Sequence, residues 1–505
     1  MGQKNSNSSQ TKSDLANQIW SACDILRRDN NCGGIMEYVE HLAWLLFLKF
    51  LDDQEEEWET QARIDNREYQ WILEGKFRWK EWAPKDWPAD DLIRFVNGEL
   101  IPNLRNLQGD PVRDTIRGVF SERNVIVCAS GYNLKDVLKI IDEVNFHNRD
   151  DVFTVSQVYE ELLKRLGSEN RMAGEFYTPR SVVRFMIEVI DPKISETVYD
   201  PACGSCGFLA QSYEWMKKSE LTIQANEMLQ QRTFFGQEKK AVPALLGALN
   251  LVLHGVTAPR VYRRNTLEEN IRQVTERYDV VLTNPPFGGT EGKHIQENFP
   301  VQSNATELLF VQHIMKKLSA KDGARCGMVV PEGTLFRGGA FATVKKDLLE
   351  SFNLFLVVSL PPGTFSPYSD VKTGLLFFKR PGPTKEVLYY EMSLPESLKK
   401  FSKGSPIADE HFNEAGEIWK RWKDYLETKV SRPGNTLTSW VEDAESLAKR
   451  GYDLSSKNPN RPEGEKLPSP IEIVARLMEK EREILSIVEE LDEMLTNNQK
   501  EEGMR

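Results

Sequence analysis

Between Leu15 and Leu26 the apolar residues Leu15, Ile19, Ala22, Cys23 and Leu26 fall three and four positions apart, the spacing of one helix face. Asn30-Asn31-Cys32-Gly33-Gly34 breaks the pattern. Met36 to Phe50 then predicts a second helix whose apolar surface is wide enough to be buried on most sides. An acidic run, Asp52 to Glu57, follows it. Further helical stretches reach about Leu166, so residues 14–168 read as a helical N-terminal domain behind a Ser/Asn/Gln-rich tail, 1–13, expected to be disordered. After Gly174 the period changes. Thr197-Val198-Tyr199, Val280 to Thr283, Gly327 to Val330, Leu354 to Leu360 and Gly374 to Phe378 are strand-like, and helical stretches such as Ala241 to Leu253 and Glu307 to Leu318 lie among them. That alternation predicts an α/β domain over 169–390 with a mostly parallel sheet. Beyond Pro381-Gly382-Pro383 the chain turns polar and reads as a helical C-terminal region, 391–505, ending in a helix over 471–495. There Leu477, Ile484 and Leu491 recur every seven residues, with Val474, Val488 and Leu495 on a neighbouring seam that Glu481 interrupts, which suits a docked helix better than a free coiled coil.

Composition narrows the class. The 505 residues are 40% hydrophobic and 28% charged, a globular profile too long for one core. The longest apolar run, Leu42 to Leu51, contains Lys49 and falls short of the roughly 20 residues of a membrane helix. With no leader at the start of the chain, the expectation is a cytoplasmic protein with no membrane partner. Met1-Gly2-Gln3-Lys4-Asn5-Ser6 matches a short, loose myristoylation pattern, and a disordered polar tail explains it better. Of six cysteines, Cys203 and Cys206 form C-x-x-C, but no second pair or nearby histidine completes a zinc set, so no metal is expected. The net charge of −11 makes the chain a poor nucleic-acid binder by itself; if it acts on DNA, another chain should hold the DNA. Trp58, Trp71, Trp79, Trp82 and Trp87, mixed with Lys76, Arg78 and Lys80, permit base stacking, although packing inside a helical domain is the reading favoured.

Three segments carry candidate chemistry. Val198 to Leu209 reads as a strand ending in an acid, then a loop of small residues that turns into a helix. Such a loop lets backbone approach a ligand and presents the free N–H groups of a helix start, at the edge where open α/β sheets bind ligands. It is not G-x-G-x-x-G, and Asp200 suits a cationic amino group rather than a pyrophosphate. Glu238, at the end of the next strand, is placed to accept ribose hydroxyl protons, with the Trp215 to Gln231 stretch as an inserted helix or loop. Asn284-Pro285-Pro286-Phe287 directly follows a strand. Its prolines lock the turn, the Asn284 side-chain oxygen and the Pro285 carbonyl form two acceptors for an –NH2 group, and Phe287 offers a face to a flat ring.

Together, Asp200 to Leu209 and Asn284 to Phe287 resemble the cofactor and catalytic loops of amino-group methyltransferases that use S-adenosylmethionine. Gly174 to Arg180 resembles the segment with which DNA adenine-N6 methyltransferases hold the methionine end of that cofactor. Arg264-Asn265-Thr266-Leu267 lies where the family contacts the adenine ring, and the helical leader with Gly451-Tyr452-Asp453-Leu454 extends the likeness to modification subunits of type I restriction-modification systems. The resemblance implies a Rossmann-like S-adenosylmethionine methyltransferase domain between a helical N-terminal domain and a helical tail. It further implies cofactor contacts from Glu175, Phe176, Tyr177, Thr178, Pro179, Arg180, Asp200, Ala202, Gly204, Ser205, Cys206, Gly207, Glu238, Asn265, Thr266 and Leu267, with catalysis by Asn284, Pro285, Pro286 and Phe287 on an adenine flipped from DNA. Implied partners are DNA read through a specificity subunit, a restriction subunit, and a second copy of this chain. Cys206 departs from the usual glycine or alanine. Methylation of ribosomal RNA guanine or protein glutamine, and an inactive scaffold, remain as alternatives. Cytosine C5 chemistry is disfavoured because 284–287 contains no cysteine.

Overall fold

The computed structural model describes residues 12–32, 34–109, 111–120, 130–147, 178–218, 222–366, 371–455 and 458–460, together with single positions at 155–162, 369 and 474–488. Residues up to 457 form one compact unit and residues from 458 a second.

Helices Lys12–Arg28 and Ile35–Ile64 open the first unit, and Leu15, Ile19, Ala22, Cys23 and Leu26 are all buried as the periodicity predicts. The second helix does not stop at the acidic run; it passes through Asp52 to Glu57 and continues to Ile64. Partners on all sides make this possible. Arg78 reaches Asp52 at 3.1 Å, Lys49 reaches Asp53 at 2.6 Å, and Glu55 accepts the backbone N–H groups of Ile72 and Leu73 and the Tyr69 hydroxyl. Asp52, Asp53 and Glu55 are thus buried, partnered carboxylates inside the helix, while Glu57 stays exposed. The tryptophans pack as well: Trp79 and Trp82 are each 1% exposed, and Trp87 stacks on Phe95.

The sheet has nine strands: β1 Val198–Asp200, β2 Phe234–Glu238, β3 Arg260–Arg263, β4 Val280–Thr283, β5 Arg325–Pro331, β6 Asn353–Ser359, β7 Thr373–Lys379, β8 Glu386–Glu391 and β9 Ser439–Asp443. Their order is β3-β2-β1-β4-β5-β7-β6-β8-β9. The first five in that order are parallel, while β7 runs antiparallel to both β5 and β6. From β1 the chain winds outward to β3 and then returns to β4 on the other side of β1. The carboxyl ends of β1 and β4 are thus a topological switch point, the place where such sheets open a ligand crevice.

The region after 391, expected to be mainly helical, also holds a strand of the sheet. It contributes β9, which pairs with β8 from Glu386↔Asp443 to Tyr390↔Ser439, and a helix, Asn413–Thr428, whose Trp422 is buried and donates to the Phe355 carbonyl at 3.1 Å. β9 holds only two apolar residues, Trp440 and Val441, so its pattern alone does not mark a strand; the stacked Tyr389–Trp440 pair fixes its register. β8 lies past Pro381-Gly382-Pro383, which stops neither the sheet nor the core.

Helix Ala241–His254 joins the two kinds of structure. Ala244, Ala248 and Leu251 face the core over the sheet, and Leu245, Leu246, Leu249, Val252 and Leu253 belong to the core of the N-terminal helices. Being apolar all round, it is buried on both sides. Thr115 donating to the Pro259 carbonyl and Tyr159 donating to the Leu246 carbonyl cross the same seam.

In the second unit, the described positions at 477–482 and 484–488 are helical. Val474, Leu477, Ile484 and Val488 are all more than half exposed. Leu491 and Leu495 lie outside the described residues.

Candidate active site

β1 ends at Asp200, buried at 1% exposure, and the chain turns at once over Pro201 to Cys206 into helix Gly207–Lys217. The turn is pinned at several points. The Cys203 N–H donates to the Gln237 carbonyl at 2.9 Å, the Gly204 N–H to Glu238 Oε2 at 3.1 Å, and the Asn250 amide to the Ser205 carbonyl at 2.8 Å. Cys206 sits at φ 57°, ψ 31°, in the left-handed region. Glycine, one of the two residues usual there, takes that conformation freely, whereas any side chain costs about 1 kcal/mol or more. Gly247 packs beneath it, because a Cβ there would lie 2.6 Å from Cys206 Sγ and 2.8 Å from the Gly204 carbonyl. At the helix start, a Cβ on Gly207 would lie 2.1 Å from Arg180 Nη1.

Two acids border this loop. Asp200 Oδ1 accepts the Ala202 N–H at 3.1 Å and the Thr283 hydroxyl at 2.6 Å. Burial pushes its carboxyl up to about 7. Glu238, closing β2, accepts the Lys240 N–H through Oε1 at 2.8 Å, and burial raises its carboxyl against the pull of that bond and of Gly204. Thr266 ties the third segment in: its hydroxyl donates to the Pro201 carbonyl at 2.5 Å and lies 3.0 Å from the Gln237 amide, which in turn lies 2.7 Å from the Tyr199 hydroxyl. Asn265 caps its own turn through the Leu267 N–H at 3.2 Å, and Leu267 is buried in the cluster against which Ala202 packs.

β4 delivers Asn284 beside Asp200. The Asn284 amide nitrogen donates to Thr178 Oγ1 at 3.1 Å, and its side-chain oxygen is buried with no hydrogen-bond partner. A buried acceptor left without a donor costs on the order of 1–3 kcal/mol, so an empty one in a cleft marks where a donor belongs. Pro285 is buried and Pro286 exposed; Phe287 is half-buried, its ring edge-on to Phe365 with centroids 5.8 Å apart.

Most of the candidate residues therefore converge. Thr178, Arg180, Asp200, Ala202, Gly204, Ser205, Gly207 and Asn284 line one cleft, and Glu238 and 265–267 border it through the contacts above. Pro179 is the N-cap residue of helix Arg180–Ile190, between Thr178 and Arg180 of the lining. Glu175, Phe176 and Tyr177 lie outside the described residues. Sequence reasoning missed Thr283, Gln237 and Asn250, which hold the cleft together, and Phe365 behind Phe287. Thr283 was in reach as the last residue of a predicted strand; the other three carry no local signal.

Similarity to known proteins agrees with this geometry. The N-6 DNA methylase family model matches residues 148–466, and a model of the HsdM N-terminal domain matches 15–141. The type I restriction enzyme EcoEI methylase subunit of Escherichia coli is 36% identical over 491 residues, covering 95% of this chain and 97% of that protein. Two solved structures are similar over most of their length. A chain from a type I restriction-modification system, solved in work on complex assembly and conformational transition, is 70% identical with a TM-score of 0.82, covering 97% of this chain and 99% of its own. A modification subunit of a putative type I restriction enzyme from Vibrio vulnificus YJ016 is 38% identical with a TM-score of 0.77, covering 89% and 98%.

Proposed function

The chain belongs to the type I restriction enzyme methylase subunits, DNA adenine-N6 methyltransferases, and from that premise we propose how its carboxyl-edge cleft works. Membership sets aside the RNA-guanine, protein-glutamine and inert-scaffold readings. The methyl donor in this reading is S-adenosylmethionine, which when bound supplies an electrophilic methyl group on a sulfonium sulfur. Three features of the cleft fit it. Asp200 is a buried carboxyl whose charged form awaits a cationic partner, such as the amino group at the methionine end. Glu238 keeps lone pairs beyond its two backbone bonds for ribose hydroxyls. Gly207, at the start of the helix, leaves room for the Arg180 guanidinium, which lines the cleft beside the 202–207 backbone. Asn265, Thr266 and Leu267 then border the adenine ring, and Glu175, Phe176 and Tyr177 complete the methionine end.

The chain's part in the reaction is positioning. Thr178 Oγ1 holds the Asn284 amide nitrogen, which aims the side-chain oxygen into the cleft. That oxygen and the Pro285 carbonyl accept the two N–H groups of the target adenine's amine. Both bonds strengthen as the nitrogen gains positive charge, so they favour the transition state over the ground state. Phe287 supports the flipped base on its face while Phe365 braces the ring from its edge. Pro285 and Pro286 keep the turn from relaxing. The observation that carries this reading is the buried, unpartnered Asn284 oxygen.

DNA is read in this proposal through a specificity subunit, which the acidic balance of the chain favours. The exposed apolar residues at 474–488 dock on that subunit, and a second copy of this chain and a restriction subunit complete the assembly. No helix among the described residues is long and apolar enough to cross a membrane, and we place the complex in the cytoplasm. Mass spectrometry of N6-methyladenine in DNA incubated with labelled S-adenosylmethionine, this chain and the specificity subunit tests the mechanism. Methylation that persists at the same rate in Asn284→Ala overturns it.

A further inference from the structure

Parallel sheets in α/β proteins are normally covered by helices on both faces. Here helix Ala241–His254 covers β2 and β3 on one face, whereas the return from β3 to β4, residues 264–279, contains only the short turn Thr266–Glu268. Helix Thr306–Lys317 packs over the neighbouring strands on the opposite face, and beside it the outer two strands are left as a groove of about 550 Å³. Arg260 and Tyr262, two residues apart on β3, share that face; Arg260 pairs across with Phe235 on β2. The lining is aromatic and cationic. Arg260 lies over the Phe235 ring at 5.1 Å, Arg264 over Tyr262 at 5.7 Å, and Phe235 packs on Tyr278 at 5.1 Å. Arg264 is neutralised by Glu269 at 2.8 Å. Among the described residues, Arg260 and Arg277 have no carboxylate partner; Arg260 Nε is buried without any hydrogen bond, and Arg277 reaches only the carbonyls of Val274 and Glu276.

We propose that this groove docks an acidic amphipathic helix from another protein chain, seated where the fold omits its own crossover helix. Aromatic residues and arginine are the side chains enriched in interface centres, and two unspent guanidiniums select carboxylates. A nucleic-acid strand fits less well. The rings lie tucked against one another and under the arginines rather than flat to solvent, so they offer no open face for a base to stack on, and Glu276 at the rim is held by Lys317 at 3.0 Å. Thr197, Arg260 and Tyr278 stand at the amino ends of their strands, away from Asn284. Arg264, past the carboxyl end of β3, adjoins Asn265 at the cleft's border, but Arg260 and Arg277 stand apart from the methyl-transfer cleft, and the role of this surface goes beyond that reaction.

The test places the photo-crosslinker p-benzoylphenylalanine at Tyr262 of the full chain, co-expressed with the genes adjoining its own, and identifies the crosslinked peptide by mass spectrometry. The expected product is a segment of a different chain with net negative charge and helical apolar spacing. Its yield should fall about tenfold in Arg260→Glu/Arg277→Glu and recover in Arg260→Lys/Arg277→Lys. Melting temperature and methylation rate of the charge-reversed chain should stay unchanged, since neither arginine touches the cleft. Crosslinks to DNA, to a second copy of this chain or to a basic segment, no crosslink at all, or a yield indifferent to charge reversal each overturn the proposal.

Discussion

The loop that follows β1, 200–207, and the loop that follows β4, 284–287, meet at one cleft but are held in different ways. In the first, backbone groups are tied to Gln237, Glu238 and Asn250, and Gly247 packs against its underside. In the second, two prolines stiffen the chain, one side-chain bond to Thr178 orients Asn284, and a buried acceptor stays unpaired. The first loop is part of the fold's stability; the second stands on that fold and keeps its polar capacity for a ligand. Damage to one should therefore register as lost stability and binding, and damage to the other as lost rate.

Asn284→Ala gives the widest separation. Methylation should drop at least a hundredfold, in line with the loss of a preorganised polar contact, while melting temperature and cofactor affinity hold. Gly247→Ala is the counterpart in the first loop. Its Cβ meets a sulfur and a backbone carbonyl, so stability should fall by about 1–3 kcal/mol, read as a lower melting temperature, with weaker cofactor binding alongside. If Gly247→Ala changed only the rate, the comparison would fail.

The Asp200 carboxyl supplies a third probe. Unliganded, it keeps its proton up to about 7, and a cationic ligand needs the carboxylate. Cofactor affinity should therefore rise by up to about tenfold per pH unit below 7 and level off above it, as titration calorimetry can follow. A carboxyl raised in the folded state contributes stability below its unfolded value and loses it as pH climbs through 7. The rise in melting temperature on cofactor addition should accordingly be largest above pH 7. Asp200→Asn should flatten both profiles. The smallest effect is expected from Thr178→Val, which frees the Asn284 amide: about a fivefold loss of rate, with melting temperature unmoved.

How far these regions were legible in the sequence follows from what holds them. Asp200, Asn284 and Phe287 sit at strand ends and short turns, so local pattern was enough to place them. Thr283, Gln237 and Asn250 act across 29 to 83 residues of chain, and no period in the sequence links them to the cleft. The burial of Asp52 and Glu55 in the acidic run at 52–57 has no local signal, because their partners, Arg78, Ile72 and Leu73, come from a later segment. β9 was lost for a similar reason, its strand character depending on Tyr389 and Leu388 opposite it. Periodicity reports what a segment presents; it does not report what another segment brings to it.

Helix Ala241–His254 bears on how the chain can be cut. Remove the N-terminal helices, and Leu245, Leu246, Leu249, Val252 and Leu253 are bared to water along one flank. At roughly 1.5–3 kcal/mol for each such side chain, the exposure rivals the whole margin of a typical domain. A catalytic fragment trimmed near residue 168 should therefore aggregate rather than work, and the leader and the methyltransferase sheet should melt in a single cooperative transition. The helix is a keystone: the two halves were never separable parts, and a gene split between them would need both products in the same cell to give either one a shape.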